Sequence, residues 1–86
     1  MDRRKMELRD TIDLMLSDSY KDRFRAEYYQ TKIRYDRLHE MIVKYDAGTL
    51  DFTPTCEIGL LKDQAQKMGG YLYDLEIRAE CEGIEL

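Results

Sequence analysis

Residues 24–45 read FRAEYYQTKIRYDRLHEMIVKY, and residues 58–79 read IGLLKDQAQKMGGYLYDLEIRA. In both stretches, mainly apolar residues recur alternately three and four positions apart, which is the spacing of one face of an α-helix. The recurring positions are Phe24, Tyr28, Thr31, Tyr35, Leu38, Ile42 and Tyr45, then Ile58, Leu61, Ala65, Met68, Leu72, Leu75 and Ala79. The stretches have equal length, and the short segment between them holds Gly48 and Pro54. They therefore predict an antiparallel helical hairpin.

The helix ends carry recognisable signals. Ser19 is a typical N-cap for the second helix, and Gly48 is a typical left-handed stop. Thr53 and Pro54 resemble a helix start, because proline at the first helical position needs no amide donor. We predict an all-α single domain over residues 1–86, with helices at about 3–16, 20–46 and 54–82 and a linker at 47–53. In the first helix we expect one apolar side formed by Leu8, Ile12, Met15 and Leu16.

Composition narrows the class of protein. The chain has 86 residues, of which 43% are hydrophobic and 37% charged, as in a small helical domain. We find no membrane span and no secretion signal, so the cytoplasm is the expected compartment. The net charge of −4 disfavours long nucleic acid as a partner. Residues 19–45 carry seven Lys or Arg against four Asp or Glu, and residues 46–86 carry three against nine, which favours antiparallel pairing.

A second face lies nearly opposite the repeating positions. It comprises Ala26, Tyr29 and Ile33 in the second helix and Gly70, Tyr73, Ile77 and Cys81 in the third. Because a two-helix hairpin cannot cover both faces, and the first helix would cover only part, we predict a homo-oligomeric bundle. The pair Gly69 and Gly70 has two interpretations: close helix packing or a kink, or room for a ligand or a partner's backbone.

Catalytic chemistry has little support in this sequence. His39 is the single histidine, so the two-histidine helical motif of zinc proteases is absent. No glycine-rich phosphate loop and no serine nucleophile motif is present. We therefore expect no enzyme activity, no metal and no cofactor.

Ligand binding has more support. The candidate ligand-binding residues are Arg23, Tyr28, Tyr29, Arg34, Arg37, Thr53 and Thr55. The arginines would neutralise phosphate, one of the two adjacent tyrosines would stack on a base, and the threonine hydroxyls would bond phosphate or ribose. The alternative interpretation is structural, since tyrosines at helical spacing are usually core residues and basic residues usually face water.

Several stretches together resemble a family of small phage and prophage proteins related to a protein of crAss-like phages. They are residues 12–15, 20–28, 32–35, 46–56, 71–79 and 82–84, of which the linker from Ala47 to Cys56 is the most specific. By architecture, the chain is more distantly similar to helical-hairpin sponges that counter bacterial CBASS and Thoeris immunity. Those proteins bind cyclic nucleotide signals, without destroying them, in pockets between protomers.

The resemblance implies a phage anti-defence protein of the host cytoplasm that sequesters a small cyclic nucleotide. A protein-binding module that inhibits a host protein, as anti-CRISPR proteins do, is the alternative of another class. A structural oligomer without a ligand is a third possibility.

Overall fold

The computed structural model describes residues 6–86, so the predicted helix start at residue 3 lies outside the described part. Within that part the chain forms three helices and no strand. A 3₁₀ turn at Leu8–Thr11 leads into α1, Ile12–Met15, which is followed by α2, Tyr20–Ala47, and α3, Ile58–Glu82. The two long helices pack against each other. The prediction of an all-α hairpin preceded by a short helix is confirmed. None of the described helices combines the length and apolar character needed to cross a membrane.

The ends of α2 follow the sequence signals. The Ser19 side chain accepts a hydrogen bond from the Asp22 amide at 3.4 Å, which satisfies one amide of the first turn. Gly48 ends the helix with a φ of 79°, a conformation that residues with a Cβ atom rarely adopt. Its amide bonds to the carbonyl oxygen of Tyr45, as expected for a left-handed cap.

α3 begins later than the Thr53-Pro54 pair predicts. Its first helical residue is Ile58, and Glu57 is the N-cap in an extended conformation. Residues 53–57 precede the helix and are not helical. The helix starts instead where the apolar spacing starts, because burial of that face stabilises a helix more than one cap does. The linker therefore covers residues 48–57.

The hairpin core is concentrated at one end. It consists of Phe24, Tyr28, Leu72, Leu75, Ala79 and Ile84. We call residues 20–34 and 69–86 the packed end, and residues 35–68 the loop end. At the loop end Ile42 and Ala65 are buried, but Tyr45 is exposed although the spacing predicts it in the core.

The N-terminal segment turns a different side to α2 than the one predicted. Thr11 is 1% exposed, whereas Ile12 and Leu16 are 47% and 73% exposed. A 3₁₀ turn has three residues per turn, so Thr11 and its neighbours three positions away, Leu8 and Leu14, share the inner side. The Thr11 hydroxyl donates to the Leu8 carbonyl oxygen at 2.7 Å and accepts from the Gln30 amide at 2.9 Å. The prediction that Ile12, Met15 and Leu16 form the inner side with Leu8 is therefore wrong.

The N-terminal segment covers part of the second face predicted from the sequence. The segment covers α2, so Ala26 is buried and Tyr29 and Ile33 are half-buried. The matching face of α3 stays exposed in the monomer, with Tyr73 62% and Ile77 44% accessible. The uncovered surface of the second face therefore lies on α3.

Tyrosine hydroxyls join the two long helices. The pairs are Tyr20 with Glu82, Tyr28 with Glu76, and Tyr71 with Glu27, the tyrosine donating in each. Within residues 6–86, a single cation–carboxylate pair, Lys62 with Asp46 at 3.0 Å, connects α2 to the start of α3. The antiparallel arrangement therefore depends on apolar packing and tyrosine–carboxylate bonds more than on the opposite charges of the two helices.

The C-terminal tail closes the packed end. Gly83 ends α3 with a φ of 70°, and Ile84 is buried. Donors at four-residue spacing on α2, namely Lys21, Arg25 and Tyr29, bond the main-chain oxygens of Gly83, Glu85 and Leu86 at 3.3, 2.7 and 2.7 Å. The tail therefore runs along one side of α2 and holds the Tyr29 hydroxyl.

Candidate ligand-binding grooves along the second helix

Two grooves lie next to each other along α2. The N-terminal groove runs between Met6-Glu7 and α2, has a volume of about 350 Å³, and is lined by Tyr29 and Lys32 among others. The loop groove lies between the last turns of α2 and the linker, has a volume of about 430 Å³, and is lined by Lys44 and Phe52 among others. Arg37 and Glu40 line both grooves. The two grooves therefore meet at these side chains.

Helix periodicity and one turn of the linker build the loop groove. Arg37, Met41 and Lys44 follow one another four and three positions apart, so they share a flank of α2. The amides of Thr49 and Leu50 both bond to the Lys44 carbonyl oxygen, at 2.9 and 3.2 Å. These bonds fold the linker back beside the flank.

Arg37 differs from the other cations of the grooves. Lys32 pairs with Asp36 at 2.8 Å, and Lys44 lies 3.9 Å from Glu40. Arg37 has no carboxylate within 4.0 Å among residues 6–86. Its guanidinium can therefore offer several N–H donors to an anion without first breaking an ion pair to a described carboxylate.

Tyr29 supplies an aromatic wall to the N-terminal groove. Its ring is half-buried and meets the Tyr28 ring edge-on, with the ring centroids 5.2 Å apart. Its hydroxyl donates to the main-chain oxygen of Leu86 at 2.7 Å. The contact with Tyr28 and the hydrogen bond to Leu86 together hold the Tyr29 ring in one orientation.

Tyr28 lies in the core. It is 8% exposed, and its hydroxyl donates to Glu76 at 2.7 Å. Burial raises the pKa of Tyr28 above its usual value, and the hydrogen bond to the Glu76 carboxylate raises it further. In this conformation the Tyr28 ring packs against core residues, and its neighbour Tyr29 lines a groove.

The remaining predicted ligand residues lie apart from both grooves. Arg23 donates to the Ser17 carbonyl oxygen at 2.8 Å and so holds the turn before α2. Arg34 is exposed on α2, and Thr53 and Thr55 are exposed in the linker. The structure thus brings together Tyr29 and Arg37 from the predicted set.

Sequence reasoning missed most of the residues that line the grooves, among them Met41, Lys44 and Phe52. The spacing of Arg37, Met41 and Lys44 was a usable signal, because it places them on one flank of the helix. Phe52 carried no such signal, since its position depends on how the linker folds.

Comparison with known families identifies the chain's relatives. A family model described as Sequestin matches residues 18–81. The chain belongs to the Sequestin family. The family name agrees with the resemblance to sequestering proteins that was drawn from the sequence. No curated protein and no solved structure matches the chain.

The Sequestin match covers the two grooves unequally. Every residue that lines the loop groove falls between Arg37 and Phe52, inside the matched range. The N-terminal groove also uses Met6 and Glu7, which lie before it. The loop groove is therefore built entirely from the part of the chain that the family shares.

Proposed function

We propose that this member of the Sequestin family is a phage anti-defence protein that binds a small cyclic nucleotide immune signal and holds it without cleaving it. The observation that carries the proposal is the position of Arg37 at the junction of two grooves, with no carboxylate partner among residues 6–86. A phosphate on this guanidinium would gain charge-assisted hydrogen bonds.

The groove walls suit the rest of a nucleotide. Tyr29 and Phe52 present aromatic rings, on which a base can stack. Thr49 offers a hydroxyl to a phosphate or ribose. The family name supports sequestration, and the resemblance to anti-CBASS and anti-Thoeris sponges suggests the class of ligand and the host cytoplasm as the place of action.

The proposal includes a homo-oligomer. On the exposed face of α3, a Cβ atom added at Gly70 would meet nothing within 4 Å. Glycine within a helix costs about 1 kcal/mol relative to alanine, and packing within the monomer does not explain this cost. A second copy whose backbone approaches Gly70, with Tyr73 and Ile77 beside it, would explain the glycine and bury both exposed side chains. Assembly could also bring Arg23, Arg34, Thr53 or Thr55 of one protomer to the grooves of another.

Two matched variants test the proposal. The purified protein and its Arg37→Ala and Arg34→Ala variants are titrated calorimetrically with cyclic dinucleotides, cyclic trinucleotides and cyclic ADP-ribose-type signals. Both arginines are exposed on α2, but only Arg37 lines the grooves. We expect tight binding of at least one signal, a loss of tenfold or more for Arg37→Ala, and a smaller loss for Arg34→Ala. Binding of no member of the panel would overturn the proposal.

A second candidate function is protein binding by α3. The exposed Tyr73 and Ile77 lie close in sequence to Asp74 and Glu80, which are also exposed. An apolar patch with an acidic border fits a basic partner surface. One host protein recovered in equal amounts with the wild-type chain, and lost with Ile77→Glu, would favour this function. Retention of the partner by Ile77→Glu would argue against α3 as the surface.

A further inference from the structure

We infer that the two grooves form one two-lobed site for a dinucleotide, with a phosphate at Arg37 and one nucleoside in each groove. The inference rests on the proposed function and specifies its ligand. It rejects two neighbouring classes, the single nucleotide and the nucleoside polyphosphate.

The volumes of the two grooves favour a ligand with two parts. Ligand pockets commonly have volumes of about 300–1,000 Å³. The N-terminal groove, at about 350 Å³, and the loop groove, at about 430 Å³, each lie near the lower limit of this range. They are neighbours, because Arg37 and Glu40 line both. A single nucleoside would leave one groove empty, whereas a dinucleotide has a part for each.

The aromatic rings of the site are divided between the two grooves. Each groove has one: Tyr29 in the N-terminal groove and Phe52 in the loop groove. Phe52 is 55% exposed, so the monomer gains little from burying it. Stacking on a base would cover this apolar surface. The rings lie in different grooves, as two bases joined through a phosphate would require.

The charged side chains of the two grooves disfavour a polyphosphate. The combined site is lined by three cationic side chains and four carboxylates. The cations are Lys32, Arg37 and Lys44, and the carboxylates are Glu7, Asp36, Glu40 and Asp51. Because Lys32 and Lys44 lie beside carboxylates, Arg37 is the cation of the combined site that we expect to bind phosphate. A triphosphate would place further negative charges near the four carboxylates. Ribose hydroxyls and base amino groups, by contrast, can donate hydrogen bonds to them.

Calorimetry with a graded set of probes tests the inference. The probes are the 5′-monophosphate, the 5′-triphosphate, the linear dinucleoside monophosphate and the cyclic dinucleotide, each with adenine and with guanine. We expect at least one two-base probe to bind tenfold or more tightly than the monophosphate and triphosphate of the same base. Phe52→Ala should weaken binding of that probe tenfold or more.

Two variants control for nonspecific effects. Phe52→Tyr keeps an aromatic ring in the loop groove and should retain binding. Tyr45→Ala removes an exposed aromatic side chain of the loop end that lines neither groove, and it should bind like the wild type. Equal affinity for one-base and two-base probes, or normal two-base binding by Phe52→Ala, would overturn the inference while leaving the proposed function intact. Failure of every nucleotide, the cyclic panel above included, to bind would overturn both.

Discussion

The two ends of the hairpin contain similar apolar and aromatic residues but bury them to different extents. At the packed end, Phe24 is 3% exposed and Leu75 is 1% exposed, and tyrosine hydroxyls bond carboxylates across the helices. At the loop end, Phe52 and Leu60 are more than half exposed, and the loop groove separates α2 from the linker. The buried core therefore lies at one end of this small domain and the loop groove at the other.

The N-terminal groove lies between these two regions. Its Tyr29 belongs to the packed end, where the C-terminal tail holds the hydroxyl. Its Asp36 and Arg37 belong to the loop end. A ligand that spans both grooves would therefore contact rigid structure at one side and a less densely packed linker at the other.

The largest expected effect separates the two phenylalanines. Phe24→Ala removes a buried ring from the core and should lower the free energy of unfolding by about 3–5 kcal/mol. Phe52→Ala removes a mostly exposed ring and should change it by less than about 0.5 kcal/mol. Urea unfolding followed by circular dichroism measures both. Similar losses in the two variants would contradict the division between the ends.

The next effect concerns the bond between Tyr28 and Glu76. Tyr28→Phe leaves the carboxylate without its donor and should cost about 1.5–3 kcal/mol at neutral pH, the usual range for a hydrogen bond to a charged group. Tyr73→Phe is the control, because Tyr73 is exposed and donates no side-chain hydrogen bond among the described residues. An equal effect of both changes in urea unfolding would show that the buried hydroxyl contributes nothing.

The same tyrosine predicts a dependence on alkaline pH. The pKa of Tyr28 is raised in the folded protein, mainly by burial, whereas in the unfolded chain it is about 10. The stability contributed by the neutral hydroxyl is therefore complete below pH 10 and is lost as the pH rises above it. We expect the difference in unfolding free energy between wild type and Tyr28→Phe to shrink above pH 10. A difference that stays constant to pH 11.5 would contradict the shift.

The smallest effects come from two glycines and should have opposite signs. Gly48→Ala forces a Cβ atom into a left-handed conformation and should destabilise the chain by about 1 kcal/mol. Gly70→Ala places a methyl group in open space on α3 and should stabilise the isolated chain by about 1 kcal/mol. If a second copy packs on Gly70, the alanine should also weaken the oligomer. Native mass spectrometry at several protein concentrations measures this, and unchanged assembly would exclude close packing at Gly70.

Much of the fold could be predicted from the sequence because it depends on helix period. The recurring apolar positions in residues 24–45 and 58–79 identify the hairpin face, and Ser19 and Gly48 mark the limits of α2. The period fails before residue 12, where the backbone adopts a 3₁₀ turn and a polar side chain, Thr11, is the buried one. It also cannot show that the end of the hairpin leaves Tyr45 exposed.

The candidate site was harder to predict than the fold. Composition and helical position indicated Arg37 and Tyr29, since both residue types suit nucleotides and lie on the second helix. The role of Tyr28 depends on which α3 residue stands opposite its hydroxyl, and the sequence does not show this register. Phe52 joins the site through hydrogen bonds of the linker backbone to Lys44, which involve no side-chain pattern.

We propose that the grooves meeting at Arg37 hold an intact cyclic nucleotide. Native mass spectrometry of the wild-type protein and of Arg37→Ala, each mixed with the panel of cyclic signals, tests it most directly. We expect an oligomer whose mass increases by whole, uncleaved nucleotides. The same nucleotides should be recovered unchanged after denaturation, and Arg37→Ala should lose the added mass. An unchanged mass with every signal, or recovery of a cleaved product, would contradict it.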